Sequence, residues 1–206
     1  MAGMTRNQWM LHADNPGNIE YILSLDLDDP DRKKYRNQDG KILLNSNTSA
    51  IAAINYAAYY ATGDLLIVVS DDFDCPPHWD TLLLDHLKGK EDFIVKTPDG
   101  IQKTLITLPI MDRTYYKRFG YVYYPGYKHM FCDQEMTAVG HMLGRVINIP
   151  LLFEHKHYSV GKMKKDAINK KNDATWDQGK RLFHERLKTN FGVTDPVINY
   201  DQIKWR

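Results

Sequence analysis

The feature that most constrains this chain is an abrupt change of polarity. Leu65-Leu66-Ile67-Val68-Val69 is a continuous apolar run, and Ser70-Asp71-Asp72-Phe73-Asp74 follows it with no spacer. A short apolar run without polar alternation suits a strand buried on both faces, as in the parallel sheet of an α/β domain. The acids then stand at the carboxyl end of a strand, where open α/β sheets bind their ligands. A second strand end has the same character. Ile19-Glu20-Tyr21-Ile22-Leu23-Ser24-Leu25 is apolar and β-prone and runs into Asp26-Leu27-Asp28-Asp29-Pro30-Asp31. Between the two runs, the spacing of Ile51, Ile54 and Ala58 predicts a helix over 47–61, capped by Asn47 or Thr48 and closed by Gly63. Strand, helix and strand in this order give a βαβ beginning.

Downstream, Trp79, Leu82, Leu83 and Leu87 predict a helix over 78–88, stopped by Gly89. Two β-like runs, 93–96 and 104–108, are separated by the turn Pro98-Asp99-Gly100. A short helix over 113–119, a helix over 133–143 and a strand over 146–149 follow. Ser159 to Lys171 is rich in lysine and poor in apolar residues, which reads as a mobile loop before an amphipathic helix over about 175–190. The expected fold class is therefore α/β and Rossmann-like, with a mixed, mostly parallel central sheet flanked by helices. Residues 1–158 form the expected catalytic domain, and 159–206 a basic loop and C-terminal helix packed on it.

Composition bears on the partners. With a formal net charge of +1 over 206 residues, the surface is not one that coats nucleic acid, so any anion site must be local. Cys75 and Cys132 lack zinc-type spacing and read as reduced thiols, which fits a cytoplasmic protein. No apolar run is long enough for a transmembrane segment.

The acidic run suits a hard divalent cation such as Mn²⁺ or Mg²⁺, which takes oxygen ligands and commonly uses one or two carboxylates plus substrate phosphate oxygens. A solvated turn in which Asp71 or Asp74 caps the next helix is the structural alternative. His155 and His157 alternate along an extended segment, which puts both on one side, and imidazole can complete a metal sphere begun by carboxylates. Lys156, Lys162, Lys164 and Lys165 are placed to cover a diphosphate if a loop closes, or else form a solvated face. Tyr115, Tyr116, Tyr121, Tyr123, Tyr124 and Tyr127 suit either a sugar groove or core packing.

From Ile19 to Trp79 the chain resembles the family 2 nucleotide-sugar glycosyltransferases of the A-type (GT-A) fold. Thr62-Gly63-Asp64, the apolar strand, the DXD-like motif Ser70 to Asp74 and Pro76-Pro77-His78-Trp79 carry the resemblance. It continues more weakly to His157: Phe131-Cys132-Asp133-Gln134-Glu135 is similar to the family's acidic catalytic motif, and Glu154-His155-Lys156-His157 lies where a metal-binding histidine can occur. In one respect the sequence departs from the pattern. Family members begin with a β-strand before a Pro-Thr or Pro-Tyr turn, whereas here only residues 1–5 precede Arg6.

The resemblance implies a glycosyltransferase of hexosyltransferase type that takes a nucleoside-diphosphate sugar, UDP above all, and a glycan or other hydroxyl-bearing acceptor. The expected metal ligands are Asp72, Asp74, His155 and His157. Asp26, Asp28, Asn47, Asp71 and Lys162 are expected to hold the donor. Asp133 is the expected base of an inverting transfer, with Glu135 as its neighbouring alternative and helix capping as the bland role for Asp133. Two rival functions use the same carboxylates. One is a metal-dependent phosphate hydrolase or nucleotidyltransferase, the latter disfavoured by the lack of a glycine-rich phosphate loop. The other is a sugar-nucleotide or glycan-binding module without turnover.

Overall fold

The computed structural model describes residues 2–30, 32–35, 40–157, 161 and 167–205. The first paired strands, β1 (Ile22–Asp26) and β2 (Lys41–Asn45), run parallel from Ile22 opposite Lys41 to Asp26 opposite Asn45. Helix α2 (Ala50–Tyr60) then returns the chain to β3 (Leu65–Ile67). Ser49, rather than Asn47 or Thr48, caps α2 by accepting from Ala52 N at 3.1 Å. The cap moves because Asn47 is used elsewhere, donating to Asp26 Oδ1 at 2.7 Å.

The main sheet has four strands in the order β3-β6-β5-β7, with β5 at Ile94–Lys96, β6 at Ile110–Asp112 and β7 at Val146–Asn148. It is mixed, as the sequence predicts, but its parallel share is smaller. β6 pairs antiparallel with both β3 and β5, and β5 pairs parallel with β7. The antiparallel strand is not the expected run 104–108, which lies in a loop. There the backbone meets side chains instead of a ladder: Ile106 N donates to Thr137 Oγ1 at 2.9 Å, while Ile106 and Leu108 are buried. The true strand ends at Asp112, whose carboxylate accepts from Asp92 N, Phe93 N and Tyr115 N at 2.7, 3.1 and 2.9 Å and so caps helix α4 (Arg113–Phe119).

Alternating side chains of this sheet enter two cores. Leu66, Ile94 and Met111 face one core with α2 and helix α5 (Cys132–Met142), where Tyr115, Tyr116, Tyr123 and Tyr127 are buried. The tyrosines named as candidates for a sugar groove are thus largely packing groups. Val95 and Ile110 face the other core, with Trp9 from α1 (Ala2–His12) and Trp79, Leu83 and Leu87 from α3 (Trp79–Leu87). Helix α1 is not evident in the sequence pattern. It forms over residues with little amphipathic period, and its fixed points are Trp9 and Thr5 rather than a stripe.

The C-terminal segment closes the first core. Helix α6 (Ala167–Asp173) falls within the stretch expected to be loop, and α7 (Trp176–Leu187) buries Phe183 beside Phe191. Buried Glu135 on α5 receives Arg186 of α7 through three contacts of 2.7–3.2 Å, and Tyr127 Oη donates to it at 2.7 Å. The Arg186 guanidinium also covers the Tyr124 ring at 3.5 Å and donates to Phe191 O. Removing one partner of a buried pair strands the other charge, which typically destabilises by ~3–5 kcal/mol. Arg186→Met is therefore expected to cost about that much in urea unfolding, with part recovered when Glu135→Gln is added. A loss below ~1 kcal/mol would show that the pair does not fasten α7.

Candidate functional site

The acidic run begins where β3 ends. Val68 N still reaches Pro109 O at 3.0 Å, and Phe73 N then closes a turn on Ser70 O at 3.3 Å, so Asp71 and Asp72 are the turn's central residues. Strand β4 (Phe73–Asp74) follows and pairs antiparallel with β8 (Glu154–His155), setting Phe73 opposite His155. Lys156 N donates to Asp72 O at 2.7 Å and extends that junction. This two-stranded ribbon joins the two motifs that the sequence separates by some eighty residues.

His155 is the centre of the arrangement. Its Nε2 is 3.0 Å from Asp72 Oδ2, its Nδ1 lies 3.6 Å from Asp99 Oδ2, and its ring stacks on Phe73 with centroids 4.2 Å apart. The second distance is an ion-pair separation, too long for a normal hydrogen bond. Burial alone would push the imidazole down, but the two carboxylates outweigh it and hold His155 at about 9. Asp99 is buried, yet donation from Thr107 Oγ1, Ile101 N and Gln102 N, all at 2.7 Å, together with His155, brings it to about 2. Burial likewise opposes ionisation of Asp72, and His155 and Ser70 lower it on balance.

Asp74 pairs with Lys156 instead, and Asp71 is exposed. The His157 ring lies 5.0 Å from that of His155, and its pKa is lowered by burial and by the neighbouring imidazole charge. His129 also feels Asp72 and His157; burial lowers its pKa, and its Nδ1 is buried without a hydrogen-bond partner. Neither Asp99 nor His129 stands out in the sequence. Asp99 reads as a turn residue in Pro98-Asp99-Gly100, and its burial depends on the loop that folds back over it.

Asp133 occupies the first turn of α5, where Phe131, at φ 73°, is the capping residue. Its carboxylate is not the cap; Oδ1 accepts from Gln134 N at 2.9 Å. Burial raises its pKa, and backbone N–H groups and the His155 charge offset only part of that rise. Glu135 faces away from this cluster, into the ion pair with Arg186. Asp26 and Asn47 meet at the end of β1, and Asp28 is exposed in the turn beyond. Before the two strands begin, Glu20 accepts from Thr62 N at 2.6 Å, which joins the segments leading into β1 and β3. Lys162, Lys164 and Lys165 lie outside the described residues.

The glycosyl transferase family 2 model matches residues 18–147, well over half of the chain, and this span contains β1, the acidic run, Asp99 and Asp133. The chain belongs to glycosyl transferase family 2. The match supports the α/β fold and glycosyltransferase activity in general. No curated protein matches the chain. Family 2 membership also implies a nucleotide-sugar donor and an acceptor. Among the described residues no helix is long and apolar enough to cross a membrane.

Among the described residues, no three His, Cys, Asp or Glu side chains are grouped so as to hold a metal ion by themselves. A cation at Asp72 and Asp74 would therefore have to be shared with substrate phosphates, as Mg²⁺ bound through one or two carboxylates commonly is. Cys75 and Cys132 are free and buried, and burial pushes the Cys75 thiol up to about 12, so neither is poised as a thiolate.

Because His155 titrates above its ordinary value of 6.5, its ion pairs support the fold fully below that pH, and this support is lost as pH rises through about 9. Asp99→Asn removes one of the two carboxylates. The His155 pKa, followed by NMR, is expected to fall by about one unit or more. An unchanged titration would mean that Asp99 does not hold the imidazolium.

Proposed function

We propose that this family 2 glycosyltransferase moves a hexosyl group from a nucleoside-diphosphate sugar, with UDP as the expected carrier, to a hydroxyl acceptor with inversion. The observation that carries this reading is the meeting of Asp72, from the turn after β3, with His155, and Asp133 within the reach of the same imidazole charge. Donor and acceptor chemistry need separate groups, and Asp72 and Asp133 are our candidates for them.

On the donor side, Asp26 and Asn47 form a paired polar end to β1 suited to the nucleoside, with Asp28 and Asp71 exposed beside the strand ends. Of the expected set Asp72, Asp74, His155 and His157, the two carboxylates would hold Mn²⁺ or Mg²⁺ together with the diphosphate. No three of these groups among the described residues are arranged to hold a cation alone, and His155 would first have to give up the proton it keeps between Asp72 and Asp99. When bound, such a cation supplies positive charge to the departing diphosphate. Asp74 must exchange its contact with Lys156 to take part, which frees that ammonium for a phosphate oxygen.

On the acceptor side, Asp133 takes the proton from the attacking hydroxyl as the bond between the sugar C1 and the diphosphate oxygen breaks. Its partial burial raises its basicity above that of an ordinary surface carboxylate. Glu135 is engaged by Arg186 and Tyr127, so the base assignment goes to Asp133.

Asp133→Asn keeps the shape of the side chain and removes the proton acceptor. Donor affinity is expected to stay within a small factor of the parent while kcat falls by roughly 10²–10⁴-fold. Parent-like turnover, or retention of anomeric configuration in the product, would remove Asp133 from the reaction.

A further inference from the structure

Helix α7 has two faces of different character. Gly179 and Phe183 are buried, and Leu182 and Leu187 pack on the first core beside them. The other face carries Trp176, Lys180, His184 and, just past the helix end, Lys188 at four-residue intervals, with Arg181 alongside, and all five are exposed. Residues four apart lie one above another on a helix, so they form a stripe about 18 Å long at roughly 1.5 Å per residue. Asp177 stands beside Trp176, and Glu185 at the margin. Arg118, Arg145, Lys156 and Arg186 are engaged by carboxylates, whereas no ion pair among the described residues involves Lys180, Arg181 or Lys188.

The start of this stripe is fixed against the segment that leads into Asp133. Trp176 is 54% exposed, yet its ring meets Phe131 edge-on with centroids 4.9 Å apart, which leaves at least one indole face uncovered by that ring. Phe131 is the residue that caps α5, two positions before Asp133. Met130 N donates to Thr175 Oγ1 at 3.2 Å, and a Cβ at Gly179 would stand 2.3 Å from Met130 O, so the first turns of α7 pack too closely here for a side chain at 179. The charge of Asp173, three residues before Trp176, is felt by His129 and His157 of the candidate site. The tyrosines expected to line a sugar groove are mostly buried, and Trp176 is the aromatic group left facing outward beside α5.

The chemistry of the stripe selects a ligand. An indole face suits the apolar face of a pyranose ring, the Asp177 carboxylate suits its hydroxyls, and the cations that follow suit anionic groups. Insertion into a lipid surface needs an outward apolar face, but the apolar side of α7 is used in the core. Single-stranded nucleic acid calls for several stacking platforms, and this stripe has one. Favourable placement of cations near a helix C-terminus accounts for Lys188 but not for Lys180 and Arg181, which stand in the first half of α7.

We propose that the exposed face of α7 is the acceptor track and that the acceptor is an anionic glycan. One sugar ring lies on Trp176 beside Asp133, and the anionic groups of the units that follow meet Lys180, Arg181 and Lys188. The inference rests on the reading of Asp133 as the acceptor-side base, and it adds the class of acceptor.

Calorimetric titration with tetragalacturonate and with a heparin-derived tetrasaccharide tests it, with neutral maltotetraose as the comparison. At least one anionic probe is expected to bind at least about tenfold more tightly than maltotetraose, and less tightly as salt is raised. Lys180→Glu with Arg181→Glu is expected to weaken that binding by about tenfold or more, while Lys88→Glu with Lys90→Glu, an equal charge change at exposed positions beyond α3, alters it less than about twofold. Trp176→Ala is expected to weaken it by roughly three- to tenfold, and Trp176→Phe to restore most of the loss. Binding of neither anionic probe, equal binding of maltotetraose, equal losses in the two charge-reversed variants, or no effect of Trp176→Ala overturns the proposal. A ten-residue oligothymidylate and phosphatidylglycerol vesicles are titrated in parallel; tighter binding of either, lost with Lys180 and Arg181, overturns it in favour of a nucleic acid or a lipid surface. These titrations use neither donor nor turnover, so the track and the transfer reaction can fail separately.

Discussion

Three distant stretches of chain meet on one imidazole. Asp72 comes from the turn after β3, Asp99 from the loop before β6, and His155 from β8, which places the ring between the two carboxylates. Without it, two acids would face one another at a partly dry sheet edge, where like charges are unfavourable. The ring also lies flat on Phe73, so the charge is positioned by a group buried in the second core. The candidate site thus inherits its geometry from the core, and the acidic run is held rather than merely exposed.

Support from below comes through an aromatic stack. Trp9 Nε1 donates to Phe73 O at 3.0 Å, Trp79 Nε1 donates to Trp9 O at 2.8 Å, and Trp9 stacks on Phe153 with centroids 5.4 Å apart. Each indole N–H is satisfied by a backbone carbonyl, as burial of a tryptophan requires. Asp80 adds a clasp by accepting from Asp14 N and Asn15 N at 2.9 and 2.8 Å. Helix α1, α3 and the acidic segment are thus tied to one another. On the other face, the Glu135–Arg186 pair binds the C-terminal helix to α5, whose first turn presents Asp133.

The parts legible in the sequence are those with a local signature. The apolar run ending in acids, the helix around Ile51 and Ala58, and the helix over 113–119 all have a period or a boundary that one segment can display. The family match spans the same region. What was hidden depends on distant contacts. Residues 104–108 have strand composition but lie in a loop because Asp99 and Thr137 provide their polar partners. Asp99 looks like an ordinary turn residue until that loop closes over it. Helix α1 has no stripe to announce it, and Glu135 looks interchangeable with Asp133 until Arg186 arrives from more than fifty residues away.

The central claim is that the edge around Asp72 binds a nucleoside diphosphate together with a divalent cation. Thermal unfolding with UDP, with Mn²⁺ and with both, for the parent and for Asp72→Asn, tests it most directly. A ligand that binds only the folded chain stabilises it by about 2.7 kcal/mol at a hundred times its Kd. The account predicts a clear rise in Tm for the parent only when UDP and Mn²⁺ are present together, and none for Asp72→Asn. An equal rise with inorganic phosphate, or a rise that survives in Asp72→Asn, would contradict it.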